Sequence, residues 1–112
     1  MGLIFEEEPD LSEIIERLND EDSEVRRVAV MDLREQDEEE AIPLAIKAIK
    51  DPDPGVRVEA AQLMDEYTGV EIAEALVGAL SDSDESVRKA AATTLAENKN
   101  DEAGEVFLKA LE

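Results

Sequence analysis

Asp51-Pro52-Asp53-Pro54-Gly55-Val56-Arg57-Val58-Glu59-Ala60-Ala61 decides how the rest of the chain is read. Thirty-one residues later the same pattern stands as Asp82-Ser83-Asp84-Glu85-Ser86-Val87-Arg88-Lys89-Ala90-Ala91-Ala92. Thirty-one residues earlier it stands as Asp20-Glu21-Asp22-Ser23-Glu24-Val25-Arg26-Arg27-Val28-Ala29-Val30. The columns Asp20/Asp51/Asp82, Asp22/Asp53/Asp84, Val25/Val56/Val87, Arg26/Arg57/Arg88 and Ala29/Ala60/Ala91 run without a gap. A fixed period in the range of about 20–50 residues marks stacked units, each of which cannot bury its apolar face alone.

Outward from that stretch, Asp53 caps a helix through Val56, Ala60, Leu63 and Met64 to about Tyr67, with Gly69 as its stop. A second helix spans Ile72 to Leu80. In the preceding unit Asp22 or Ser23 opens a helix to about Arg34, residues 36–40 turn, and Ala41 to Ile49 form the second helix. Pro43 is expected in its first turn, where a missing N–H is tolerated. In the following unit Asp84 or Ser83 caps Val87 through Leu95, the chain turns at 97–101, and Val106 to Leu111 close the last helix. Ahead of all three, Leu11, Ile14, Ile15 and Leu18 share one helical face. The columns Leu18/Ile49/Leu80/Leu111 and Ile15/Ile46/Val77/Leu108 make that helix the second half of a unit whose first helix is absent.

The expected fold is therefore all-α: a right-handed α-α superhelix, or solenoid. Its seven helices are one N-terminal helix plus three pairs of 31-residue period. Residues 1–9 read as a leader and 10–112 as a single repeat domain, with a half repeat at 10–19 and repeats at 20–50, 51–81 and 82–112.

Composition narrows the function. The 112 residues hold no Cys and no His, which removes thiolate chemistry and the commonest general base and metal ligand. No nucleophile–base pair, phosphate loop or metal set can be assembled, so no catalytic residue, metal or cofactor is expected and the chain reads as not an enzyme. The Asp-x-Asp loops fail as calcium loops: counted from Asp51, the fifth position is Gly55 and the twelfth Gln62. Net charge is −20, from 31 acidic and 11 basic residues. That field argues against nucleic acid and anionic membranes and favours a basic protein partner. The start, Met1-Gly2-Leu3-Ile4-Phe5-Glu6-Glu7-Glu8, lacks a basic stretch and a long apolar run, so no signal peptide is expected and the location is cytoplasmic.

Asp-x-Asp-x-x-Val-Arg-x-x-Ala-Ala, followed by a second helix of the type Ala-Ile-Pro-x-x-Ile-x-Ala-Ile, resembles the HEAT-like repeats named after the phycobilisome lyases. The resemblance covers roughly residues 11–111. It implies an armadillo/HEAT-type superhelix that works as an interaction module, or as an accessory or chaperone subunit of a cofactor-attachment or metallocofactor assembly system. Departures are Gln36, Tyr67 and Asn98 where the family turn carries Leu-Gly, and Asp32 and Glu59 where small apolar residues are usual. Lyase activity itself does not carry over, because no residue matches a chromophore-handling site.

Two residue sets stand out. Arg26, Arg57 and Arg88 run beside Asp51, Asp53, Asp82 and Asp84, and are expected to form a structural ladder in which each guanidinium forks onto loop carboxylates or helix-end carbonyls of a neighbouring unit. The second set lies on the second helices: Leu44, Lys47, Ala48, Ala75, Gly78, Ala79, Val106, Lys109 and Ala110. In HEAT-type stacks this helix lines the concave side, so these residues are the expected partner-binding ribbon. The competing explanation is that its small residues let adjacent helices approach closely. Glu35 and residues 37–40 read as a solvated turn, and Tyr67 as a packed residue at a helix end. The chain is expected to be a monomer, or to self-associate weakly through Leu108 and Leu111 at its C-terminal end.

Overall fold

The computed structural model describes residues 10–98 and the helix at 103–110. Helix α1 (Leu11–Leu18) is followed by α2 (Ser23–Asp32), α3 (Glu38–Ala48), α4 (Pro54–Leu63), α5 (Val70–Ala79), α6 (Glu85–Glu97) and α7 (Ala103–Ala110). Three-residue 3-10 turns, Leu33–Glu35 and Met64–Glu66, extend α2 and α4. The expected count of seven helices is thus corrected: two further helical segments stand after α2 and α4, because the last turn tightens to i→i+3 bonding before an extended Gln36 or Tyr67. The leader at 1–9, Leu111 and most of the 97–101 turn lie outside the described residues.

Each first helix starts on the second Asp of its loop. Asp22 accepts from Glu24 N, Asp53 from Val56 N, and Asp84 from Ser86 N and Val87 N, which satisfies donors that an α-helix leaves open at its start. Asp10 does the same for α1, accepting from Glu13 N. The second helices begin differently from the sequence expectation. Glu38, Glu39 and Glu40 are the first turn of α3 and not a loop; three carboxylates there complement the positive end of the helix dipole. Pro43 consequently sits inside α3, past its first turn, where both it and Glu39 (the residue whose carbonyl it leaves without a donor) are exposed to water. Gly69 does not stop α4. It is the N-cap of α5, with φ 117°, a conformation open to glycine and strained for other residues.

The helices form two layers. First helices α2, α4 and α6 run side by side and α5 packs closely on α7, while α3 meets α5 over a shorter stretch, so the second-helix layer is open between α1, α3 and α5. The molecule measures 58 × 27 × 18 Å with a radius of gyration of 14.8 Å, against about 13 Å for a compact globule of this length. Between the layers lies one core of small and branched side chains, in which Ile14, Val30, Leu33, Val56, Leu63 and Leu76 are at most 1% exposed.

The two polar departures in the first units are absorbed by ion pairs. Arg17 Nη2 donates to Asp32 Oδ2 at 2.6 Å across α1 and α2; one unit later the same two positions hold Ala48 and Leu63, both in the core. Glu59 takes Arg27 Nη1 at 3.4 Å across α2 and α4; one unit later those positions hold Val58 and Ala90, packed apolar residues. A charge and its countercharge arrive together, which is the condition for tolerating either in a half-buried place.

Ala48 and Ala79 border the open second-helix side, as the ribbon expectation has it, but each is only 7% exposed and also belongs to the core. At these two positions small size serves close helix packing. Ala79→Glu is therefore expected to place an unpartnered carboxylate in the core and to lower stability by about 3 kcal/mol or more, read as a lowered denaturation midpoint; a midpoint equal to wild type would contradict the placement.

Candidate functional site

The loops between units bring Asp and Arg together in a repeated geometry. Arg26 Nε and Nη2 donate to the two oxygens of Asp51 at 3.0 and 3.1 Å, and its Nη1 donates to the carbonyls of Asp20 and Glu21. Arg57 repeats this on Asp82 at 2.9 and 3.0 Å, with Nη1 on the carbonyls of Asp51 and Pro52. The partner in each pair is twenty-five residues on. All four side chains keep only 11–15% of their exposure, so the forks are shielded from water while fully hydrogen-bonded.

Asp51 and Asp82 thus act as rungs, and each also accepts its own loop's N–H, from Asp53 and Asp84. Asp53 and Asp84 are helix caps and take no guanidinium among the described residues, which corrects their expected place in the ladder. Arg88 Nη1 holds the carbonyl of Asp82 at 2.8 Å, but no carboxylate takes its fork among the described residues.

These contacts move the acid–base balance in consistent directions. Burial alone would raise the Asp82 carboxyl, but the Arg57 fork and the Asp84 N–H outweigh it and hold it below the ordinary value of 3.8. Asp84 is lowered by the Ser86 hydroxyl and N–H, and Asp10 by the Glu13 N–H. The bond to Asp51 raises Arg26 further, and burial pushes the Tyr67 phenol up. Tyr67 is packed at 4% exposure beside the loop of the next unit, where Asn98 Nδ2 donates to the carbonyls of Met64 and Tyr67, both at 3.0 Å.

The second-helix side carries two open grooves. One, of about 670 Å³ between α1 and α3, is floored by Ile15, Leu18, Leu44 and Ile46 and edged by Lys47 and Lys50. The other, of about 780 Å³ between α3 and α5, is floored by Ile46, Ile49, Ala75 and Gly78 and edged by Glu71 and Glu74. On the first-helix side a smaller channel of about 500 Å³ is lined largely by polar groups, among them Gln62, Asp65, Lys89 and Glu97.

Of the expected ribbon, Leu44 and Ala75 are half-buried on the groove floors, Lys47 and Gly78 are exposed at them, and Lys47 has no ion pair among the described residues. Val106 and Lys109 lie on α7, half-buried and exposed; the side chain of Ala110 falls outside the described residues. Ile15, Ile46 and Lys50 were missed. The isoleucines share an apolar column that reads as core, yet Ile15 is 39% exposed because α1 and α3 stand apart.

Paired helices, Asp-opened loops and this Arg–Asp recurrence coincide with a match to the family model for HEAT repeats over residues 11–71, and with a second HEAT repeat match over residues 72–97. The chain belongs to the HEAT repeat family. Comparison with curated proteins gives no match. Its helix pairs are HEAT repeats forming an α solenoid, and HEAT repeats commonly mediate protein–protein interaction, with which a scaffold role is compatible. Among the described residues no helix is long and apolar enough to cross a membrane.

A pH prediction follows from the lowered carboxyls. A group whose folded pKa lies below its unfolded value adds stability that is complete above the unfolded value and is lost as pH falls through the folded one. For Asp10, Asp82 and Asp84 that contribution is present above pH 3.8 and drains below it. Helix content followed by circular dichroism is expected to hold down to that pH, and an acid-unfolding midpoint above about pH 5 would contradict the assignment.

Proposed function

We propose that this HEAT repeat chain is a non-catalytic protein-interaction scaffold that seats a partner along its second-helix face. The observation that carries the reading is the pair of adjoining grooves on that face, sharing Ile46, Lys50, Asp51 and Pro52 between them. Apolar floors edged by charged groups suit a protein segment with an apolar ridge, since contiguous exposed apolar surface marks interaction sites. The channel on the first-helix side is smaller and edged by polar groups, which favours the second-helix side as the seat.

The partner is a protein with a basic surface. Net charge of −20 supports this, as do Glu71 and Glu74 at the second groove. Neither nucleic acid nor membrane is part of the reading, and the location is cytoplasmic. The stack is taken as a right-handed superhelix of 31-residue period, for which the gapless columns speak. Absence of His and Cys from the sequence supports a binding module over an enzyme without a cofactor. An accessory role in a cofactor-attachment system, of the phycobilisome-lyase type, rests on the family resemblance alone.

Gly78 offers a clean test, because a Cβ built there meets nothing within 4 Å. Gly78→Tyr is expected to fill the groove between α3 and α5 while leaving the melting temperature within a few degrees of wild type. Affinity capture from the source cell at low and moderate salt then compares the two. A partner held by wild type and lost by the variant supports the seat; one held equally by both would place binding elsewhere.

A further inference from the structure

The two grooves of the second-helix face carry open charge of opposite sign. Across the rest of the chain Arg17, Arg26, Arg27, Arg34, Arg57 and Lys89 each hold a carboxylate. Lys47 and Lys50 are exposed at the groove between α1 and α3 and hold none among the described residues. Glu71 and Glu74 are exposed at the groove between α3 and α5 and hold no cation among the described residues. Lys50 lines that second groove as well, yet no ion pair joins it to either glutamate. The other charged groups at the grooves are engaged within the chain: Arg26 with Asp51, Arg57 with Asp82, and Asp20 with the N–H of Asp22. Helix dipoles account for Lys47, in the last turn of α3, and for Glu71, in the first turn of α5. Lys50 stands beyond the end of α3 and Glu74 past the first turn of α5, where that effect has faded.

We propose that the partner segment is bipolar and crosses the second helices in a fixed direction. Its acidic end lies against Lys47 and Lys50, an apolar ridge rests on Ile15 and Ile46, and its basic end lies against Glu71 and Glu74. This rests on the second-helix face being the seat and names the chemistry that the seat selects. A uniformly basic segment is drawn by the net charge of −20 but meets like charge at the two lysines. A uniformly acidic one is repelled by that field and by the two glutamates. Only a segment with both signs satisfies both grooves, and complementary rim charges of this kind set direction and selectivity more than affinity.

Three synthetic peptides with the same leucine-rich middle test this by fluorescence anisotropy, at near-physiological salt so that the long-range field is screened. One has glutamates at one end and lysines at the other, one has lysines at both ends, and one has glutamates at both. Wild type is expected to hold the bipolar peptide about fivefold or more tighter than either of the others. Lys47→Glu with Lys50→Glu is expected to turn the preference toward the all-lysine peptide, and Glu71→Lys with Glu74→Lys toward the all-glutamate peptide. Should a reversal lower the melting temperature, Gln at the same positions carries the test and is expected to abolish the preference. Gly78→Tyr separates this proposal from the one beneath it. A bipolar peptide held equally by wild type and Gly78→Tyr would overturn the seat and the proposal together. One lost on Gly78→Tyr but indifferent to every charge change would leave the seat standing and overturn the bipolar partner. So would an all-lysine peptide held by wild type as tightly as the bipolar one, or no binding of the bipolar peptide at millimolar concentration.

Discussion

The fork of one arginine onto the loop aspartate of the next unit is the constraint on which the stack depends. In Arg57 the Nε and Nη2 groups go to Asp82 and the Nη1 group to two carbonyls of its own loop. A shielded guanidinium tolerates burial only when its donors are met in this way. The same carboxylate accepts the N–H of Asp84, so the rung that joins two units also shapes the loop that starts the second. Asp84 is then placed to cap α6. Loop conformation, helix start and spacing between units thus follow from one planar contact, used twice among the described residues.

Between the rungs the interfaces are built in two ways. Toward the N-terminus charged pairs stand in the contact, Arg17 with Asp32 and Arg27 with Glu59, and Arg34 reaches Glu66 at 2.9 Å on the surface. One unit on, apolar residues such as Val58, Ala90, Ala48 and Leu63 take the first two places. Both solutions keep the first-helix layer tight, and the second-helix layer spreads between α1, α3 and α5 into the two grooves on which the proposed scaffold role rests. The acidic surface surrounds these grooves, while Lys47 and Lys50 sit at their edge.

Much of this was legible before any coordinates, because a repeated sequence exposes both a position and its environment. Val56, Ala60 and Ala91 could be placed in the core from their columns, and the Arg–Asp pairing from its fixed offset. Other features were hidden for physical reasons. Two aspartates two positions apart look equivalent, yet Asp51 and Asp82 take the guanidinium of the neighbouring unit, while Asp53 and Asp84 cap their own helix start. Glu38–Glu40 read as loop from polarity alone, although acidic residues are favoured in a first helical turn. Gly69 reads equally as the stop of one helix or the cap of the next, and its positive φ decides for the cap. Ala48 and Ala79 could not be assigned to core or surface by residue type, since alanine suits both. Ile15 and Ile46 look like core, and only the separation of α1 from α3 leaves them on a groove floor.

A double-mutant cycle on Arg57 and Asp82, with Ala and Asn as replacements and unfolding free energy as readout, tests the central claim most directly. A shielded bidentate rung predicts a coupling of about 1–3 kcal/mol, with the double variant little worse than either single one. Additive losses with no coupling would mean that the two side chains stabilise the protein separately, and that the stack is held by its apolar layers alone.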